Sequence, residues 1–181
     1  KGMSFFSWLF GGSSMQAIGE AVRAAQGDPA VKSILLHIDS PGGTVNGAQE
    51  LTQQIYQARG DKPITAFSDG AMTSGAYWIG SAANKIYISG DTVFVGSIGV
   101  VATHIDYSKQ DEQEGVKYSE IVTGEYKRIT SAHVPLTKEG KQTLQDMVDY
   151  VYSAFISDVG RNRGVTAARA LEMADAAKVY I

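Results

Sequence analysis

Apolar positions along the chain switch several times between a helical and a strand-like rhythm. Met15, Ile18, Ala21, Val22 and Ala25 recur at three- and four-residue intervals, the mark of an amphipathic helix. Ser13-Ser14 supplies its cap, and Gly27-Asp28-Pro29 stops it after about Gln26. Val31 to Ile38 is aliphatic and β-branched without alternation, the pattern of a strand buried on both faces. Ala48, Leu51 and Ile55 mark a second helix over Val45 to Ala58, and Pro63 to Phe67 reads as a second buried strand. Small residues from Ser74 to Ala83 predict a short helix. Ile86 to Ile88 and Thr92 to Val101 predict short strands around Gly96 and Gly99, and Lys117 to Val122 a further one. The longest helix is expected over Leu136 to Gly160. There Leu144, Met147, Val148, Val151, Phe155, Ile156 and Val159 form one stripe. Val165 to Ala174 predicts a last helix. Strand alternating with helix implies α/β layers with mostly parallel pairing.

Composition narrows the chemistry. A length of 181 residues with 44% hydrophobic content fits one domain, 1–181, with a sizeable core. A net charge of -3 with 19% charged residues gives no electrostatic footprint for nucleic acid. The absence of cysteine excludes disulfides and thiol catalysis. His37, His104 and His133 are scattered without metal-ligand spacing, so no metal is expected. No apolar run reaches the roughly 18 residues of a membrane helix. Within the N-terminal stretch 1–13, Met3 to Phe10 is apolar and aromatic but short, with only Lys1 and Gly2 ahead of it. It reads as an interfacial or partner-packing segment rather than a signal peptide.

Two stretches carry candidate chemistry. Asp39-Ser40-Pro41-Gly42-Gly43 stands between a predicted strand and a predicted helix. Such a loop can aim bare backbone amides at a developing oxyanion, although a tight turn is the commoner meaning of paired glycines. Ala71-Met72-Thr73-Ser74-Gly75-Ala76-Tyr77-Trp78 opens the short helix. Ser74 there is a cap by default, yet the same place exposes a hydroxyl beside the Gly75 amide, as a nucleophile requires. A serine nucleophile needs a base. His37 falls inside a predicted buried strand, and His104 and His133 in loop or edge segments, poor settings for a Ser-His-Asp arrangement. A lysine can serve only when neutral, which takes its pKa from about 10.4 toward about 7 to 8. Burial without a carboxylate partner achieves this. Lys127 ends Thr123-Gly124-Glu125-Tyr126-Lys127. Spacing alone does not raise it above Lys117 or Lys138, and a solvated surface charge is the ordinary state of a lysine.

The order of motifs resembles the signal peptide peptidase A (protease IV) family of Ser-Lys peptidases, which includes phage prohead maturation proteases. The matching segments are Ile38-Asp39-Ser40-Pro41-Gly42-Gly43, Thr73-Ser74-Gly75-Ala76-Tyr77-Trp78, Val95-Gly96-Ser97-Ile98-Gly99-Val100 and Gly124-Glu125-Tyr126-Lys127. The resemblance runs from about Val31 to Gly164. It implies a Clp protease/crotonase-like fold of stacked ββα units, assembled into rings or smaller oligomers. It places the catalytic serine on Ser74 and the lysine base on Lys127. The oxyanion amides fall on Gly75 and on one of Gly42 and Gly43, and Ser97 is expected to orient the lysine. The implied substrate is a peptide bound as an extended strand along a sheet edge, in a pocket for small or apolar side chains, with no cofactor. Two departures stand out. The family's strand before the first helix is missing or replaced by Phe5 to Phe10, and the chain stops at Val179-Tyr180-Ile181 where the family continues. Truncation at both ends is therefore expected.

Two biological settings compete within that resemblance. Gly99 to Ser108 and His133 to Thr137 look closer to the phage and prophage branch, which cleaves capsid-assembly proteins inside the prohead in the infected cytoplasm. The alternative is a membrane-associated cell-envelope enzyme that digests released signal peptides. Two readings from other classes remain, a crotonase-like acyl-CoA enzyme and a non-catalytic assembly subunit. The first leaves Ser74 without a purpose, and the second leaves both Ser74 and Lys127 without one.

Overall fold

The computed structural model describes residues 12–181, so Met3 to Phe10 lies outside the described residues. The chain forms two compact units, Val100–Tyr152 and the remainder on either side of it.

The larger unit opens with helix α1, Met15–Gly27, whose start is capped by the Ser14 hydroxyl accepting from the Ala17 amide at 3.4 Å. Strand β1 (Ile34–His37), helix α2 (Ala48–Ala58), strands β2 (Ile64–Ser68) and β3 (Ala71–Thr73), helix α3 (Gly75–Ser81), and strands β4 (Lys85–Ile88) and β5 (Phe94–Gly96) follow. Strands β1, β2 and β4 form one parallel sheet in the order β1-β2-β4. In a second sheet β3 pairs with β5 in parallel, and Ser40 extends it by a parallel bridge to Met72. Each stretch of chain therefore gives one strand to the first sheet, then a strand or bridge to the second. After the first two such stretches comes a helix: β1, Ser40 and α2, then β2, β3 and α3. This is the stacked ββα plan with parallel pairing implied by the motif order.

The core joins α2 to strands of both sheets. Ile55 of α2, Ile64 and Ala66 of β2, and Met72 of β3 are fully buried. Helix α3 is short for its importance, and its neighbours hold it. Its last carbonyls are met by arginines: Arg59 reaches Ala82 O and Ala83 O, and Arg163 reaches Ser81 O and Ala83 O. Cations at a helix C-terminus answer both the unpaired carbonyls and the helix dipole.

In the second unit, α4 (Ser108–Glu114) is followed by an irregular stretch and then by the start of α5 (Lys138–Arg163). The part of α5 from Ser153 onward belongs to the first unit, where Phe155 and Val159 are buried. Helix α6 (Ala167–Ala174) starts at Thr166, whose hydroxyl accepts from the Arg169 amide at 3.1 Å. A single 3-10 turn, Asp175–Ala177, leads to β6 (Val179–Tyr180), antiparallel to β5.

Four expectations are corrected. Strand β1 is not buried on both faces: Leu35 is 64% exposed and His37 is also exposed, because these alternate residues share the one face of the sheet that is left uncovered there. The strand expected over Thr92 to Val101 shrinks to Phe94–Gly96, since Gly96 (φ 104°) and Ser97 (φ 52°) break the extended backbone. Lys117 to Val122 forms no strand and leaves Ile121 99% exposed. No described strand lies beside it to take its backbone hydrogen bonds. The stripe on the long helix divides: Phe155, Ile156 and Val159 are buried but Met147 is exposed.

The turn before β6 is strained. Asp175, Ala176 and Ala177 have φ of 41°, 54° and 65° in succession. A side chain in the left-handed region costs about 1 kcal/mol or more per residue. Ala177→Gly should therefore raise stability by about 0.5–1 kcal/mol once the glycine's looser unfolded chain is subtracted. Thermal denaturation reads this directly, and a lower melting temperature would contradict it.

Candidate active site

The site is built on the second sheet. Ser40 locks onto β3 from both sides: its amide donates to Ala71 O at 2.7 Å, and its carbonyl accepts from the Thr73 amide at 3.3 Å. The Thr73 hydroxyl donates to Pro41 O at 3.0 Å, and the Asp39 carboxylate accepts from the Ala71 amide at 3.0 Å. The Pro41-Gly42-Gly43 loop is thus tied to the strand that ends one residue before Ser74. On the other side the Ser74 amide donates to Gly96 O at 2.9 Å. Three segments distant in sequence meet at one backbone position.

Ser74 occupies the cap position of α3 without capping it. Its hydroxyl makes no capping hydrogen bond, and its backbone sits at φ 53°, ψ -128°. A non-glycine residue there is held by its surroundings against local preference, a state that clusters at functional sites. The turn from strand into helix resembles in form the strained elbow that presents a nucleophile. Ser74 and Gly75 are half-buried. The Gly75 amide is the first of the helix and has no intrahelical partner.

Gly42 and Gly43 divide their tasks. The Gly42 amide is taken by the Ser40 hydroxyl at 3.2 Å, whereas Gly43 makes no backbone or side-chain hydrogen bond of its own among the described residues. A Cβ built at Gly75 would lie 3.7 Å from the Gly43 amide nitrogen. Two unpaired amides, of Gly75 and Gly43, therefore sit next to a free hydroxyl. Gly42 makes the approach possible: at φ 112°, a Cβ there would lie 2.7 Å from the Ser74 Cβ and 3.1 Å from its Oγ. Gly42→Ala should cost about 2 kcal/mol of stability or more. Melting curves check this. A parent-like melting temperature would show that the loop does not press on Ser74.

The loop opens onto a cleft of about 1190 Å³. Its walls include Leu35 and Ile38, the Gly42-Gly43 pair, and Ala76 and Ile79 of α3. Ser74 adjoins this cleft through Gly42, Gly43 and Ala76 and does not itself line it, and polar groups such as His37, Asp39 and Asn46 share the wall with the aliphatic side chains.

Of the sequence-predicted residues, the structure brings together Ser74, Gly75, Gly42 and Gly43, with the backbone of Gly96 and Ser97 adjoining. Ser97 is half-buried, and its amide donates to Lys178 O at 2.8 Å. Lys127 stands in the second unit, exposed, its amide donating to Gly124 O at 3.1 Å. No histidine hydrogen-bonds Ser74. His37 Nε2 lies 2.7 Å from Asp69 Oδ1, and this contact holds the Asp69 carboxyl below its usual range. The expectation that His37 is a core residue is corrected, since its side chain is half-exposed. His133 pairs with Asp111 at 2.8 Å and stacks on Tyr118, and His104 pairs with Ser131 O. Ser40 and Thr73 received no role from sequence reasoning, although both lie within the matching motifs. Their signal was a polar side chain at each point where the loop meets the strand. Among the described residues no group of acidic, histidine or cysteine side chains could hold a metal. No described helix is long and apolar enough to cross a membrane.

Residues 57–181 match the model of peptidase family S49, and the chain belongs to that family. A protein of Methanocaldococcus jannaschii described as a protease is 33% identical over 153 residues, 84% of this chain and 49% of its own length. Capsid assembly protease C of Escherichia phage lambda is 31% identical over 145 residues, 80% of this chain and 33% of that protein. Protease 4 of Salmonella typhi is 33% identical over 143 residues, 78% of this chain and 23% of that protein. The chain thus spans about half the length of the first of these relatives and a third or less of the other two.

Proposed function

We propose that this chain carries the catalytic centre of a serine endopeptidase, with Ser74 as nucleophile and Lys127 as general base. The observation that supports it best is the Ser74 hydroxyl. It is left out of helix capping on a strained backbone, beside amides that have no other partner. A structural cap would spend that hydroxyl on the helix.

Neutral Lys127 takes the Ser74 proton as Oγ attacks the scissile carbonyl carbon. The carbonyl π pair moves onto oxygen, and the Gly75 and Gly43 amides hold the resulting oxyanion. The C–N bond then breaks, with the lysine proton passing to the leaving amine. Water, deprotonated by Lys127, attacks the acyl-enzyme, and the proton returns to Ser74. Ser97 orients the lysine ammonium in this reading, and no step calls for a metal or cofactor. The substrate lies extended in the cleft, its side chain before the cut near Ala76 and Ile79.

An ammonium in open water is a poor base, and Lys127 is exposed in the single chain. The reading therefore includes a second copy or bound substrate that covers it, together with its exposed neighbour Tyr126. Likeness to capsid assembly protease C supports a capsid-assembly protein as substrate. Comparable likeness to Protease 4 supports the second setting, digestion of released signal peptides.

A serine-directed fluorophosphonate tests the nucleophile. Tandem mass spectrometry of the labelled protein should place the adduct on Ser74. An adduct on another serine of a proteolytically active sample would overturn the assignment.

A further inference from the structure

Helix α3 has only seven residues, too few to be stable without help, yet it must hold Ser74 against its own backbone preference. Its first turn closes on the nucleophile itself, with the Trp78 amide donating to Ser74 O at 3.0 Å. Whatever fixes Trp78 therefore fixes Ser74.

Trp78 begins and ends a closed ring of hydrogen bonds. Its indole N–H donates to Asp158 Oδ2 at 2.9 Å, and the other carboxylate oxygen takes Arg161 Nη1 at 2.9 Å. Arg161 Nη2 donates to Asn162 Oδ1 at 3.0 Å, and Asn162 Nδ2 donates to Ser81 Oγ at 2.9 Å. The Ser81 hydroxyl returns to Trp78 O at 2.6 Å. Phe155 stacks on the indole at 4.5 Å and 10°. Asp158 is 4% exposed and Asn162 3%. The buried Asp158 carboxylate is shared between the indole N–H and the Arg161 guanidinium, so its charge has a counterion while one oxygen is given over to Trp78. What it adds is a short, directional, charge-assisted bond that leaves the indole one orientation.

We infer that Asp158 is a positioning residue: through Trp78 it holds the first turn of α3 so that Ser74 and the Gly75 amide keep reactive alignment. This rests on the reading of Ser74 as nucleophile. Small displacements of a reacting group are costly, on the order of 10²-fold for 1 Å, so the loss falls on turnover rather than on substrate binding.

The test uses the full chain and three variants, with active sites titrated by fluorophosphonate so that kcat refers to competent enzyme. Trp78→Phe keeps the stack on Phe155 and removes the N–H. Asp158→Ala removes the acceptor, and Asp158→Asn keeps one. Trp78→Phe and Asp158→Ala should each lower kcat per titrated site about 10-fold or more, with KM within about twofold. Asp158→Asn should recover most of the loss. A kcat per site within about twofold of the parent in Trp78→Phe would overturn the inference, even if the melting temperature falls. That variant decides the matter should Asp158→Ala fail to fold. Ser74→Ala is measured alongside. Full activity there would remove the nucleophile reading and the positioning role with it, an outcome distinct from an inactive Ser74→Ala beside an unaffected Trp78→Phe.

Discussion

Ser74→Ala should remove casein hydrolysis by about 10³-fold or more and leave the fold intact. The two parts have separate causes. Catalysis loses its only covalent partner, and the residual rate is what oxyanion binding and substrate alignment provide without it. Stability is spared because the hydroxyl makes no capping hydrogen bond and alanine keeps the same Cβ at φ 53°, so the strain is unchanged. A melting temperature within about 2 °C of the parent is expected, since about 0.5 kcal/mol moves a chain of this size little. A variant that lost activity by unfolding would show instead that the side chain is structural.

Lys127→Ala should be nearly as severe, about 10³-fold or more in turnover, because the serine hydroxyl is a weak nucleophile without a base. Lys127 is exposed, and its loop contact runs through its own backbone amide to Gly124 O, so the substitution should not disturb the loop. Mass-spectrometric mapping of casein fragments distinguishes outcomes. Cleavage that vanishes in the variant supports the lysine base. Identical fragments at the parent rate would transfer that role to another group.

Long-range order was legible where residue type and backbone need coincide. Ser14 reads as a helix cap in the sequence, and its hydroxyl does cap α1. Paired glycines after a strand leave a tight turn and bare amides both open, and the Gly43 amide has no partner among the described residues. Legibility failed where tertiary surroundings override local pattern. The aliphatic run of β1 reads as buried, but a sheet covered on one face leaves Leu35 and His37 outside. Strands β3 and β6, of three and two residues, are too short to show a period of two. Helix α4 escaped notice because none of its residues is buried, so it has no apolar stripe. At the site, Ser74 was visible as a serine at a helix start, but not that its hydroxyl is left unspent there. That depends on φ and ψ imposed by Ser40, Gly96 and β3. The Asp158 ring was equally hidden, as it joins residues about 80 positions apart.

The three-way meeting at Ser74 bears on when the site takes shape during folding. The Gly43 amide comes from the first stretch of ββα chain, the hydroxyl from the second, and the carbonyl that anchors the Ser74 amide from Gly96 in the third. A nascent chain that has released only the first two stretches holds a serine and its glycines but not their arrangement. The hydroxyl and its two amides therefore reach their arrangement only after β5 has docked on β3, so three sequence-distant stretches must fold before the site has its geometry.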